Sequence, residues 1–310
     1  MPIFKYFVAV SGTDFAPRNL WRRGRIALDG FRLAYDVAGA GRAMVFLSGG
    51  PGHGPGYLVP LADSVTSPGW RMVVFHQRGT GRSPVPPGTG LTVRQAAEDL
   101  ALLGEHLDTD RMLLVGHGYG ASLALLTAAL FPDLVGGMVL LCPGPLDEHL
   151  AVQAGVRLHA RLGEAGCTAL RSAEARRDAA AASGDWPAMH AAALEAMRLS
   201  APSYVHDPAA RRRWQAELTE EFDHDPCTHA ALARSLAEID QPATARAVRC
   251  PVHIVRGELD FQSGDNVEAL RESLPGAEVT VVPDAAHLAW LDQPDLVARP
   301  VRAAMDRLPF

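Results

Sequence analysis

Short apolar runs, each closed by a turn rich in glycine or proline, recur along the chain. They lie in AMVFLSGGPGHGPG, WRMVVFHQRGTGRS, MLLVGH, GGMVLLCPG, CPVHIVRGELD and AEVTVVPDAAH. Runs of this length between turn residues predict strands buried on both faces. Ahead of them, RGRIALDG and FRLAYDVAG alternate apolar and polar residues and meet at Asp29-Gly30, which predicts an antiparallel hairpin. YLVPLADSV and TVRQAAEDLALLGEHL read as helices, the second with apolar residues three and four apart behind Thr92 as N-cap.

Strands alternating with helices predict an α/β fold, a largely parallel sheet covered by helices on both faces. From about 147 to 245 the rhythm stops, and the chain turns rich in Ala, Arg and Glu with a helical pattern. The expected organisation is a core of 1–146 and 246–310 with a helical cap, 147–245, inserted late in the sheet order. Its junctions fall at the Pro143 to Pro145 turn and at Gln241-Pro242. No internal repeat or low-complexity tail interrupts this plan.

At 310 residues and 48% hydrophobic, the chain can bury a large core as one domain carrying an insertion. A net charge of -6 argues against nucleic acid as a partner, and the RRRW run at 211–214 reads as a solvated helix face. No stretch approaches the roughly 18 apolar residues of a membrane span. MPIFKYFVAVSGTDF lacks the features of a signal peptide, so a cytoplasmic location is expected. Cys142, Cys167, Cys227 and Cys250 are scattered without metal-ligand spacing and read as free, mostly buried thiols. Lys5 stands alone among many arginines, a bias of high-GC bacterial genomes.

Candidate chemistry begins after MLLV, where Gly116-His117-Gly118-Tyr119-Gly120 matches the GxSxG nucleophile elbow except at the serine. Asp260 and His287 follow later strands, in the chain order nucleophile, acid, base. Cys142, Ser48 and Ser122 are weak substitutes for the missing nucleophile: a buried strand-end thiol is inert by default. For His117 a packing or hydrogen-bonding role is expected. The glycine loops lack the P-loop lysine and the GxGxxG context of a dinucleotide site, so no cofactor is expected.

Taken together these residues resemble the α/β-hydrolases of the proline iminopeptidase type, from about residue 24 to the C-terminus. That family's HGGPG loop corresponds to Ser48-Gly49-Gly50-Pro51-Gly52, and its DQRGxGxS loop to His76 through Ser83. Gly257 through Asp260 and Ala286-His287 match its C-terminal signature. The resemblance implies an oxyanion hole built from the N–H groups of Gly49 or Gly50 and of Tyr119, with Asp260 orienting His287 as base.

Three departures stand out. Gly118 replaces the serine, and Ser48 and His76 replace the loop histidine and aspartate. The cap glutamates that bind a substrate amino group in iminopeptidases have no clear counterpart; Glu217, Glu220 and Glu221, beside Trp214-Gln215, are the nearest candidates. The expected function is general-base chemistry by His287 and Asp260 on a small or medium apolar molecule: water attack on an ester or lactone, elimination, or cyclisation. Trp186, Tyr204, Trp214 and Phe222 of the cap are candidate pocket residues. Two alternatives stay open: a serine hydrolase or aminopeptidase inactivated by glycine at 118, and a non-catalytic ligand-binding protein on the hydrolase scaffold.

Overall fold

The structure, a computed structural model, describes residues 21–28, 30–86, 89–219 and 224–308. Its strands are β1 (Arg22–Leu28), β2 (Phe31–Gly39), β3 (Arg42–Leu47), β4 (Trp70–His76), β5 (Met112–His117), β6 (Val135–Leu141), β7 (Val252–Gly257) and β8 (Glu278–Val282). They form one sheet in the order β1-β2-β4-β3-β5-β6-β7-β8. The pairs β1/β2 and β2/β4 are antiparallel and all others parallel. Leu28 pairs with Phe31, which leaves two residues for the hairpin turn, and Gly30 adopts φ 79°. Asp29 itself lies outside the described residues.

The first helices are α1 (Val59–Ser64), α2 (Val93–His106) and α3 (Tyr119–Leu130). Thr92 caps α2 as its sequence predicts: its hydroxyl accepts from the Gln95 amide, and Gln95 returns a bond to the Thr92 amide. Alternation along each central strand feeds two cores. Val45, Leu47 and Leu114 join α2 and α3 on one face, while Met44, Phe46, Leu113 and Val115 face the other. Each strand is therefore apolar on both sides, which is why these segments read as continuous hydrophobic runs.

Between β6 and β7 the described chain is helical: α4 (Glu148–Ser183), α5 (Trp186–Tyr204), α6 (Pro208–Glu217), α7 (Pro226–Ala237) and α8 (Gln241–Ala247). Gly163, at φ 66° and ψ 177°, breaks α4 into two helical arms. Gln241-Pro242, expected as a turn, instead opens α8 behind the N-cap Asp240. Leu232 of α7 and Ala245 of α8 pack into the same core as α2 and α3, so the segment returns to the sheet's helical layer before β7. The chain closes with α9 (Gly264–Ser273), α10 (Ala289–Asp292) and α11 (Pro294–Arg307). All four thiols are free, but only Cys142 is buried and Cys227 is exposed, fewer buried than expected. Among the described residues no helix is long and apolar enough to cross a membrane.

Candidate active site

Strands β3, β5, β7 and β8 run parallel and end on one edge of the sheet, so the loops leaving them meet there. Open parallel sheets place their ligands at this edge. Gly118 lies between β5 and α3 at φ 54° and ψ -116°, a conformation that strains any residue carrying a Cβ. A Cβ on Gly116 would lie 2.3 Å from the Gly120 carbonyl oxygen, and one on Gly120 2.3 Å from that of Leu47. Backbone contact therefore dictates both flanking glycines. At Gly118 a Cβ would meet nothing closer than His287 Nε2, at 3.6 Å, and the Gly49 Cα, at 3.8 Å.

His287 Nδ1 donates to Asp260 Oδ1 at 2.9 Å, and both residues are buried. The Gln262 amide donates to the same carboxylate oxygen at 3.1 Å. Burial alone would raise the Asp260 pKa, but the charge and hydrogen bond of His287 and the Gln262 N–H hold it below the ordinary carboxylate value. His287 Nε2 makes no hydrogen bond among the described residues, and it faces the side-chain position of Gly118. The imidazole is walled by Phe261 at 4.5 Å, His117 at 4.6 Å and Tyr204 at 5.4 Å between ring centroids.

A chain of hydrogen bonds ties the loop after β3 to the backbone of His287. The Gly49 amide donates to the Tyr57 hydroxyl at 2.6 Å, and that hydroxyl donates to His117 Nδ1 at 2.9 Å. His117 Nε2 donates in turn to the His287 carbonyl oxygen at 3.3 Å. The order fits the chemistry, since burial pushes the Tyr57 phenol upward and keeps it protonated. Burial and the neighbouring His287 hold His117 well below the usual imidazole value, as a neutral ring with one donor and one acceptor.

The N–H of Gly49 is engaged by Tyr57, while the other loop glycine, Gly50, adopts φ 111°. Tyr119 opens α3, where a first-turn N–H has no partner within the helix.

Of the cap aromatics, Tyr204 reaches His287 and Trp214 stacks on Tyr204 at 5.7 Å. Trp186 does not: it is 54% exposed at the first position of α5, where an aromatic in an amphipathic pattern simply remains on the surface. Phe222, Glu220 and Glu221 lie outside the described residues, and Glu217 is half-buried on α6. Ser48 Oγ donates to the His53 carbonyl at 2.7 Å and so braces the loop. His76 is engaged with Asp36 and Arg82 at the border of β2 and β4. Phe261 and Tyr57 carry no sequence signal: Phe261 follows a motif residue and meets His287 only through folding, and Tyr57 stands in a loop and meets His117 only through folding.

Among the described residues, Cys142, Asp260 and His287 bring three potential ligand atoms within 4.8 Å of one another. Burial, reinforced by Asp260, pushes the Cys142 thiol well above its ordinary value, so it remains protonated. Its Sγ donates to the Ala286 carbonyl oxygen at 3.8 Å, and as a buried thiol it is unsuited as a nucleophile.

This geometry defines a class of protein, and sequence comparison agrees with it. The α/β hydrolase fold family model matches residues 42–294, and the chain belongs to that family. Within it the relatives include proline iminopeptidases, putative carbamate hydrolases and a putative non-heme bromoperoxidase. A probable proline iminopeptidase of Leptolyngbya boryana is 26% identical over 80% of this chain and 81% of its own. The proline iminopeptidase of Saccharolobus solfataricus is 31% identical over a match spanning 44% of each chain. The crystal structure of a proline iminopeptidase-related protein from Thermus thermophilus superposes with a TM-score of 0.68 at 27% identity, covering 93% of this chain and 98% of that one. The chain is thus an α/β-hydrolase-fold enzyme with glycine at the elbow position.

Proposed function

We propose that this enzyme works by general-base catalysis without a covalent intermediate, His287 and Asp260 acting on a small ester or lactone bound beneath the helices α4 to α7 as a cap. The observation that carries this reading is His287 Nε2 facing the Gly118 side-chain position from 3.6 Å with no hydrogen-bond partner of its own. A water molecule held there gives its proton to Nε2 while its oxygen attacks the acyl carbon. The oxyanion receives the N–H groups of Gly50 and Tyr119; as it collapses, the leaving alkoxide takes the proton back from the imidazolium. Asp260 holds the ring with Nε2 toward the substrate and stabilises the imidazolium.

Positioned base catalysis contributes about 10²–10⁴-fold and an oxyanion-hole donor about 10²–10³-fold. Those factors suffice for activated esters and lactones but not for peptide bonds. The test is turnover of 4-nitrophenyl acetate and of a simple lactone, followed by intact-protein mass. His287→Ala is expected to lose at least about 10²-fold, with no acyl adduct on the parent. Undiminished turnover in that variant would refute the assignment.

A second reading draws on the same backbone. The elbow dihedrals and the uncluttered space at Gly118 also suit a serine, which favours descent from a serine hydrolase inactivated at this position.

A further inference from the structure

Gly118 has no side chain to steady the peptide that follows it, and glycine turns about its backbone bonds more freely than any other residue. That peptide joins the Gly118 carbonyl to the Tyr119 N–H, fixed on opposite sides of one plane. Whatever grips the carbonyl therefore aims the N–H. The carbonyl accepts from the Ala121 amide at 3.1 Å, within the elbow, and from the Gly144 amide at 3.1 Å, in the turn that follows β6. Gly144 also packs on the peptide itself: a Cβ there would lie 3.5 Å from the Gly118 oxygen and 3.8 Å from the Tyr119 nitrogen.

The turn is Pro143-Gly144-Pro145, in which Gly144 alone has an amide hydrogen to give. It is held by Asn266, which stands in the first turn of α9 and is 1% exposed. Asn266 Nδ2 donates to the Pro143 and Gly144 carbonyls at 3.1 and 3.0 Å, and Oδ1 accepts from the Leu146 amide at 2.9 Å. Both donors of the side-chain amide are thereby used, and a flipped amide would set its oxygen against two carbonyls. Helix α9 follows the loop of Asp260: the Asn266 amide donates to Ser263 Oγ, and the Ser263 amide to the Asp260 carbonyl, both at 3.4 Å.

We propose that Asn266 is a positioning residue of this site: acting through Gly144, it sets the peptide between Gly118 and Tyr119 so that the Tyr119 N–H points at the developing oxyanion. The bond to the Gly118 carbonyl also polarises the peptide and strengthens its N–H as a donor. The same side chain joins the elbow to the helix that follows the acid. This assignment rests on the use of the Tyr119 N–H for the oxyanion in the function proposed above.

The first test compares 4-nitrophenyl acetate with O-4-nitrophenyl thionoacetate, in which sulfur takes the developing charge. Sulfur is a weak acceptor, so the thiono ester gains little from a well-aimed N–H. Asn266→Asp keeps the side-chain shape and the acceptor for Leu146 but loses both donors. It is expected to lower kcat about 10- to 100-fold on the oxo ester and less than about threefold on the thiono ester, the pattern of a misplaced oxyanion donor. Asn266→Ser, smaller and with one donor, should fall between, and it supplies the same comparison if the charged variant does not fold. A merely structural role lowers both esters alike, so equal losses, or none, would overturn the proposal. The second test needs no turnover and reads two amides by NMR. In the Asn266 variants the Gly144 amide hydrogen should exchange at least about tenfold faster and the Tyr119 amide should shift, while His287→Ala leaves both in place. Amides unchanged from the parent refute the positioning whatever the chemistry of the enzyme. If the parent shows no more preference for the oxo ester than hydroxide does in solution, the oxyanion assignment fails, and altered amides still support Asn266 as the residue that sets this peptide.

Discussion

Replacing Gly118 by serine adds one hydroxymethyl group at the point where the dyad and the oxyanion loop converge. The Cβ finds 3.6 Å to His287 Nε2 and 3.8 Å to Gly49, both ordinary contacts, so no neighbour has to move. The cost is conformational: φ 54° and ψ -116° suit glycine but strain serine by about 1–3 kcal/mol. A chain of this size loses about 2–4 °C in Tm per kcal/mol. The hydroxyl, one bond beyond the Cβ, falls within the roughly 2.6–3.2 Å reach of a nucleophile hydrogen-bonded to its base. Gly118→Ser should therefore melt cooperatively at a lower temperature, yet hydrolyse 4-nitrophenyl acetate at least about 10²-fold faster than the parent. Completing a serine triad sets a ceiling of about 10⁶ in kcat. It should also show a burst of 4-nitrophenol and take up a fluorophosphonate, read as one adduct in the intact mass. A folded variant with neither adduct nor gain in rate would show that His287, Gly50 and Tyr119 are not aligned for acyl chemistry.

Tyr57→Phe removes the middle of the chain from Gly49 to His287 and leaves the buried His117 Nδ1 without a donor; a loss of about 1–3 kcal/mol in chemical unfolding and a clear fall in turnover are expected. Acid should weaken the fold through the contact between the cap and the oxyanion loop. Burial, then the charges of His229, His190 and Arg177, lower His224 from 6.5 to about 3, and His53 and His229 are lowered as well. Because these folded values lie below the unfolded one, the unfolded chain binds protons more readily. Stability is then complete above about pH 6.5 and falls as pH drops toward 3. Thermal melts between pH 7.5 and 4.5 should show this slope, and His224→Asn should flatten it.

The elements that carry the site were legible because each is announced locally. Apolar runs ending in glycine place Gly118, Asp260 and His287 at strand ends, and parallel order then brings those ends together. What escaped was decided by contacts between distant segments. Tyr57 and His117 are 60 residues apart, and His117 meets the His287 backbone across 170. Nothing in either neighbourhood marks the pairing, and the loss of the Gly49 amide to Tyr57 follows from it. Aromatic spacing could not rank the cap residues either: Trp186 and Trp214 sit in similar helical patterns, yet one is exposed and the other is 5% exposed against Tyr204.

The loop from Ser48 to Tyr57 is held from two directions. Below, Gly49 is tied through Tyr57 and His117 to the backbone of His287. Above, Gly52 accepts from the Asp225 amide, the Pro51 carbonyl receives His229 Nδ1, and His53 bridges to His224. A load on residues 225–229 is therefore passed through this loop to the backbone of His287, and the transfer in the reverse direction has the same size.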